Sequence, residues 1–166
     1  PKLHQIHQDY ELTRGRFKMA FSNIVLATDF SEPAFCAFNF AIDIAQVYDA
    51  ALHIFHVLPD DAGSSGLSQA QVEQNIQQAL SRMEQKYGPE LAGVVDYSME
   101  SWEGVPSSEI LKFARWKYAD LIIMAHHSAE KDPEKAVLGS TVIKVASSAR
   151  CPVLSINRDF IPRCCA

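Results

Sequence analysis

Short apolar runs alternate along this chain with longer stretches whose apolar residues recur every three or four positions. That alternation leaves few folds open. Asn23-Ile24-Val25-Leu26-Ala27 and Leu121-Ile122-Ile123-Met124 are too short for helices and too uniformly apolar to expose a face. Each predicts a strand buried on both sides. Residues 51–58 (ALHIFHVL), 94–99 (VVDYSM) and 151–156 (CPVLSI) read as three more, the middle one alternating enough for a sheet edge. Helices fill the intervals. Ser31 as a cap, with Glu32 and Pro33 in the first turn, starts one that runs to Tyr48. Its Ala34, Ala37, Phe38, Ala41, Ala45 and Tyr48 form one stripe. A second helix over 68–87 aligns Val72, Ile76, Ala79, Leu80, Met83 and Tyr87, and Gly88-Pro89 is expected to stop it. Residues 107–117 and 141–147 supply two more.

Strands that alternate with helices are joined as parallel neighbours, with helices on both faces of the sheet. The expected fold is therefore α/β, a three-layer sandwich around a five-stranded parallel sheet. In an order 3-2-1-4-5 the winding reverses between strands one and four, and ligands bind beyond the carboxyl ends at such a reversal. Residues 27–29 and 124–128 are the place to look. A length of 166 residues suits one domain, expected over 19–158. The polar segment 1–18, ahead of Met19, reads as a leader or expression remnant, and 159–166 as a C-terminal tail. A net charge of −5 argues against a nucleic-acid partner. No apolar run approaches the roughly 18–20 residues of a membrane span. The four cysteines form no disulfide framework and no zinc spacing, which points to a reducing, cytoplasmic setting. Cys36 and Cys151 read as small buried residues, and Cys164 and Cys165 adjoin in the tail.

Gly139-Ser140-Thr141 opens a helix, so its free amides and hydroxyls could cradle a phosphate; an ordinary helix start is the other reading. Asp29, a short acid at a strand end, could accept from a ribose or an adenine edge, or it could serve its own turn with Ser31. The histidines make no metal site: His126 and His127 point opposite ways on an extended chain, as do His53 and His56. No nucleophile elbow or complete phosphate-binding loop is present, and Asp29 has no acidic neighbour of the kind a phosphorylated receiver needs. Dedicated catalysis is not expected, beyond slow hydrolysis of a bound nucleotide.

Four segments, NIVLATDFSEPA, LHIFHVLP, ADLIIMAHH and LGSTVIKVASSARCPVLSI, resemble the universal stress protein family in order and interval, over residues 21–157. The resemblance implies an adenine nucleotide alpha hydrolase-like fold and a homodimer joined through the last strand (Val153, Leu154, Ser155, Ile156). The family contains binders of ATP or related adenine nucleotides and members that bind none. Binders share G-x2-G-x9-G-[ST] after strand four. Here Ala125 and Ser128 replace the first two glycines, and ten residues, Pro133 among them, separate Ser128 from Gly139. Serine at a position needing positive φ costs of order 1–2 kcal/mol, about a tenfold loss of affinity. The resemblance places an ATP or AMP site, with magnesium, on Ala27, Thr28, Asp29, Val57, Met124, Ala125, Ser128, Gly139, Ser140 and Thr141, and implies a small stress-response regulator. A member that has lost the nucleotide and acts through protein contacts is the alternative.

Overall fold

The computed structural model describes residues 21–59, 68–91, 93, 96–126 and 138–157. Strands β1 (Asn23–Thr28), β2 (Ala51–Pro59), β3 (Tyr97–Gly104), β4 (Leu121–His126) and β5 (Val153–Asn157) alternate with helices α1 (Glu32–Tyr48), α2 (Gln69–Leu91), α3 (Pro106–Trp116) and α4 (Ser140–Ser148). The sheet runs β3-β2-β1-β4-β5, and every pairing is parallel. The expected α/β sandwich and strand order are what the chain forms.

Alternation along the strands divides the core in two. Ile24, Leu26, Leu52, Ile54 and Ile123 pack with Ala37, Phe38 and Ala41 of α1 and Met83, Tyr87 and Leu91 of α2. On the other face Val25, Ala27, Phe55, Val57, Ile122 and Met124 pack with Ile110 and Phe113 of α3 and Val142 and Val145 of α4. The alanine stripe of α1 is what lets that helix lie close to the sheet. Ser31 caps it as expected, its hydroxyl accepting the Ala34 amide at 3.2 Å.

Several local expectations shift. Helix α2 does not stop at Gly88-Pro89 but continues to Leu91. Tyr87 and Leu91 are both fully buried, and that burial offsets the one backbone bond that proline removes in the last turn. Strand β3 begins at Tyr97 rather than 94 and extends to Gly104, because its span is set by pairing with the long β2, from Leu52↔Tyr97 to Pro59↔Gly104. Residues 94 and 95 lie outside the described residues. Gly104 ends it at φ +145°, where an added Cβ would meet the Glu109 side chain at 2.8 Å, so the position requires glycine. Strand β5 starts at Val153, two residues late, after a bend at Cys151, although the Pro152 carbonyl already accepts the Ile122 amide of β4 at 3.0 Å. Tyr48 lies at the rim of the core and packs edge-on against Phe21. Cys36 and Cys151 are half-buried rather than enclosed.

Candidate functional site

A cleft of about 490 Å³ opens at the carboxyl ends of β1, β2 and β4, where the strand order reverses. Register builds its inner wall. Ala27 pairs with Phe55 on one side and Met124 on the other, and Val57 follows Phe55 with the same facing. These four side chains present an apolar slot toward α3 and α4. Ala27, Thr28, Asp29, Val57, Met124, Ala125, Gly139, Ser140 and Thr141 all line this one cleft. Ser128, the remaining sequence-derived candidate, lies outside the described residues, as do Cys164 and Cys165.

The start of α4 forms one rim. Gly139 is its N-cap, with φ −59° and ψ 149°, and makes no side-chain cap bond of its own. Helix α3 likewise starts at Val105 with no side-chain cap bond, whereas α1 has its Ser31 cap and before α2 the Ser68 and Gln71 side chains serve each other's amides. The first turn of α4, at the positive end of the helix dipole, lines the cleft through Gly139, Ser140, Thr141 and Val142. Gly139 needs its glycine for neither backbone nor space here: its φ is ordinary, and an added Cβ meets nothing within 4 Å.

The opposite rim is the turn after β1. Asp29 is exposed, and its Oδ1 accepts the Ser31 amide at 3.0 Å, so the turn role and the cleft position coexist. Phe30 follows at φ 65°, a left-handed backbone that costs a bulky residue roughly 1–2 kcal/mol. Thr28 reaches the cleft through its backbone alone. Its hydroxyl points to the other face of the sheet, 2.6 Å from the Tyr87 hydroxyl, and accepts the Phe30 amide at 3.0 Å. Among the lining residues described, Asp29 carries the one formal charge.

Two histidines border the cleft. His56 donates from Nδ1 to the Thr28 carbonyl at 2.8 Å, and its ring lies 4.5 Å from that of Phe30. Burial pushes its pKa down; the bond to Thr28 acts the other way, and Arg82 adds to the lowering. The neutral ring is the form the site holds. His126 Nδ1 lies 2.7 Å from the Ser155 hydroxyl, tying β4 to β5 at the rim. Among the described residues no group of His, Cys, Asp and Glu is placed to hold a metal ion. No described helix is long and apolar enough to cross a membrane.

Sequence reasoning missed part of the wall: Phe55, His56, Pro59, Pro106, Ile110 and Val142 also line the cleft, while His126 falls within the expected stretch 124–128. Phe55 was within reach, since it shares the facing of Val57 two residues on. Pro106 and Ile110 were not, because which face α3 covers is a tertiary fact.

A parallel sheet wound 3-2-1-4-5 with a cleft at the reversal between β1 and β4 defines a doubly wound α/β domain. The profile of the universal stress protein family matches residues 20–157. A universal stress protein of Methanocaldococcus jannaschii is 33% identical over 149 residues, spanning 83% of each chain. The chain belongs to the universal stress protein family. Solved structures share the fold. A structural-genomics test case superposes with a TM-score of 0.72 at 23% identity, covering 86% of this chain and 100% of its own. A universal stress protein in complex with cAMP gives 0.61 at 21%, covering 82% and 97%. An Archaeoglobus fulgidus universal stress protein in complex with dAMP gives 0.54 at 20%, covering 83% and 99%.

Proposed function

We propose that this protein binds an adenine nucleotide, ATP or AMP, in the cleft at the ends of β1, β2 and β4, and acts in the cytoplasm as a small stress-response regulator. One observation carries the reading. A helix start with glycine at its cap, an apolar slot and an exposed carboxylate meet in a single space of about 490 Å³, within the size of small-ligand sites. A planar base suits the slot of Ala27, Val57 and Met124. Ribose hydroxyls can donate to Asp29, and a phosphate can accept from the amides at Ser140 and Thr141. The cAMP and dAMP complexes of the same fold support adenine as the base. Magnesium, if used, arrives with a polyphosphate, since the described side chains form no metal cluster.

The proposal includes a homodimer through β5. That strand is an edge with β4 as its one neighbour in the sheet, so a second copy can pair along Val153, Leu154, Ser155 and Ile156. The Ile156 side chain is already buried in its own core, which leaves the backbone edge to make the contact.

Thermal unfolding of ligand-stripped protein, titrated with AMP and with ATP plus magnesium, tests the reading. At a hundred times the dissociation constant, binding adds about 2.7 kcal/mol, a rise of roughly 5–10 °C for a chain of this length. A saturable rise with adenine nucleotides that GTP does not reproduce is expected. A flat response at millimolar nucleotide overturns it and leaves a protein that acts through protein contacts.

A further inference from the structure

We infer that helix α2 sets the position of the Asp29 carboxylate, with Lys86 and Tyr87 as positioning residues; the inference rests on the nucleotide reading of the cleft. Asp29 sits between two residues that α2 holds. On one side the Tyr87 hydroxyl lies 2.6 Å from Thr28 Oγ1, which in turn accepts the Phe30 amide at 3.0 Å. On the other, Lys86 Nζ donates to the Phe30 carbonyl at 2.7 Å, and the Arg82 guanidinium stands 4.2 Å from the centre of the Phe30 ring. His56 adds a bond to the Thr28 carbonyl at 2.8 Å. The chain before and after Asp29 is therefore pinned from the face of the sheet opposite the apolar slot.

The backbone explains why pinning is needed. Phe30 lies at φ 65°, where a bulky side chain seldom rests, and such a conformation persists when its surroundings over-determine it. Lys86, Arg82 and His56 are those surroundings. The Asp29 carboxylate is in turn fixed to the turn by its bond to the Ser31 amide at 3.0 Å. When the α2 contacts are lost, the turn relaxes and the carboxylate moves with it. None of these α2 residues lines the cleft.

The test is calorimetric titration of AMP into the full, ligand-stripped chain carrying Lys86→Met, Lys86→Arg, Tyr87→Phe, Asp29→Ala or Asp29→Ala with Lys86→Met. Lys86→Met is expected to weaken AMP about tenfold and Tyr87→Phe severalfold, with Lys86→Arg restoring most of the loss. In the Asp29→Ala protein the further change Lys86→Met should alter affinity by less than about twofold, because the carboxylate it positions is gone. An equal loss with and without Asp29 overturns the inference, as does unchanged affinity in Lys86→Met and Tyr87→Phe. If the parent protein binds AMP and these variants match it, the nucleotide reading stands and the positioning role falls. If the parent binds none, the nucleotide reading itself falls and takes this inference with it. Should Lys86→Met fail to fold, Tyr87→Phe, which keeps its ring, carries the same comparison, alone and combined with Asp29→Ala.

Discussion

The ring of Phe113 lies flat on the ring of Phe55, with centroids 4.0 Å apart and planes 4° from parallel. Phe55 is at once a wall of the cleft and, through this stack, part of the core that α3 forms with the sheet. Phe113 is fully buried and also meets Trp102 and Trp116 edge-on. Phe113→Ala should cost about 3–5 kcal/mol, read as a lower urea midpoint with an unchanged slope. Phe113→Leu, which keeps most of the volume, should cost clearly less. Similar losses in the two variants would show that ring stacking matters more than the space filled.

Gly139→Ala separates the empty protein from the occupied one. The residue has an ordinary φ of −59°, and a Cβ there meets nothing within 4 Å. At an N-cap alanine is disfavoured against glycine, so stability should fall by no more than about 1 kcal/mol. Nucleotide affinity should fall severalfold as well, since a phosphate approaching the α4 amides occupies the space that the methyl group takes. Equal affinity in a folded Gly139→Ala protein would place the phosphate elsewhere.

Asp29→Asn and Asp29→Ala divide the two roles of that residue. Asparagine keeps an oxygen able to accept the Ser31 amide, which alanine does not. Both should weaken adenosine and AMP by a similar factor, about tenfold, because the lost partner is on the nucleoside. Only the alanine variant should also lower the melting temperature. Calorimetry with adenosine and AMP, run beside thermal melts, checks both statements.

Acidification should destabilise the protein through two histidines. His53, held between Ser98 and Asn23, and His56 both have pKa values lowered chiefly by burial; Lys117 adds to the effect at His53. Their unfolded pKa lies near 6.5, so the unfolded chain takes up protons first as the pH drops. Their contribution to stability is full above that value and is lost as the pH falls through the lower folded-state values. Urea midpoints at about pH 7.5 and about pH 5.5 should therefore differ less in His53→Gln with His56→Gln than in the parent. An undiminished difference would assign the pH dependence to other groups.

The order of elements was legible because each depends on neighbours in the chain; the order of strands, which sets Ile24 beside Leu121, came with the α/β class and the family resemblance. A both-faces-buried strand announces itself in four or five residues, as Ile24 to Ala27 and Leu121 to Met124 do, and a helix in three or four turns. The residues brought to the cleft were legible for a related reason: once the sheet is wound 3-2-1-4-5, the ends of β1 and β4 and the start of α4 must meet. Facing and register were not legible. Nothing local says that the Thr28 hydroxyl turns away from the cleft to Tyr87, that α2 continues past Pro89, or that β3 begins at Tyr97. Those outcomes belong to residues distant in sequence, Tyr87 and Leu91 buried under the sheet and β2 extending its neighbour. The sequence by itself determined which segments become strands and helices, through periodicity and short-range sterics. The tertiary structure decided which atoms face the cleft, because that depends on pairings between residues tens of positions apart.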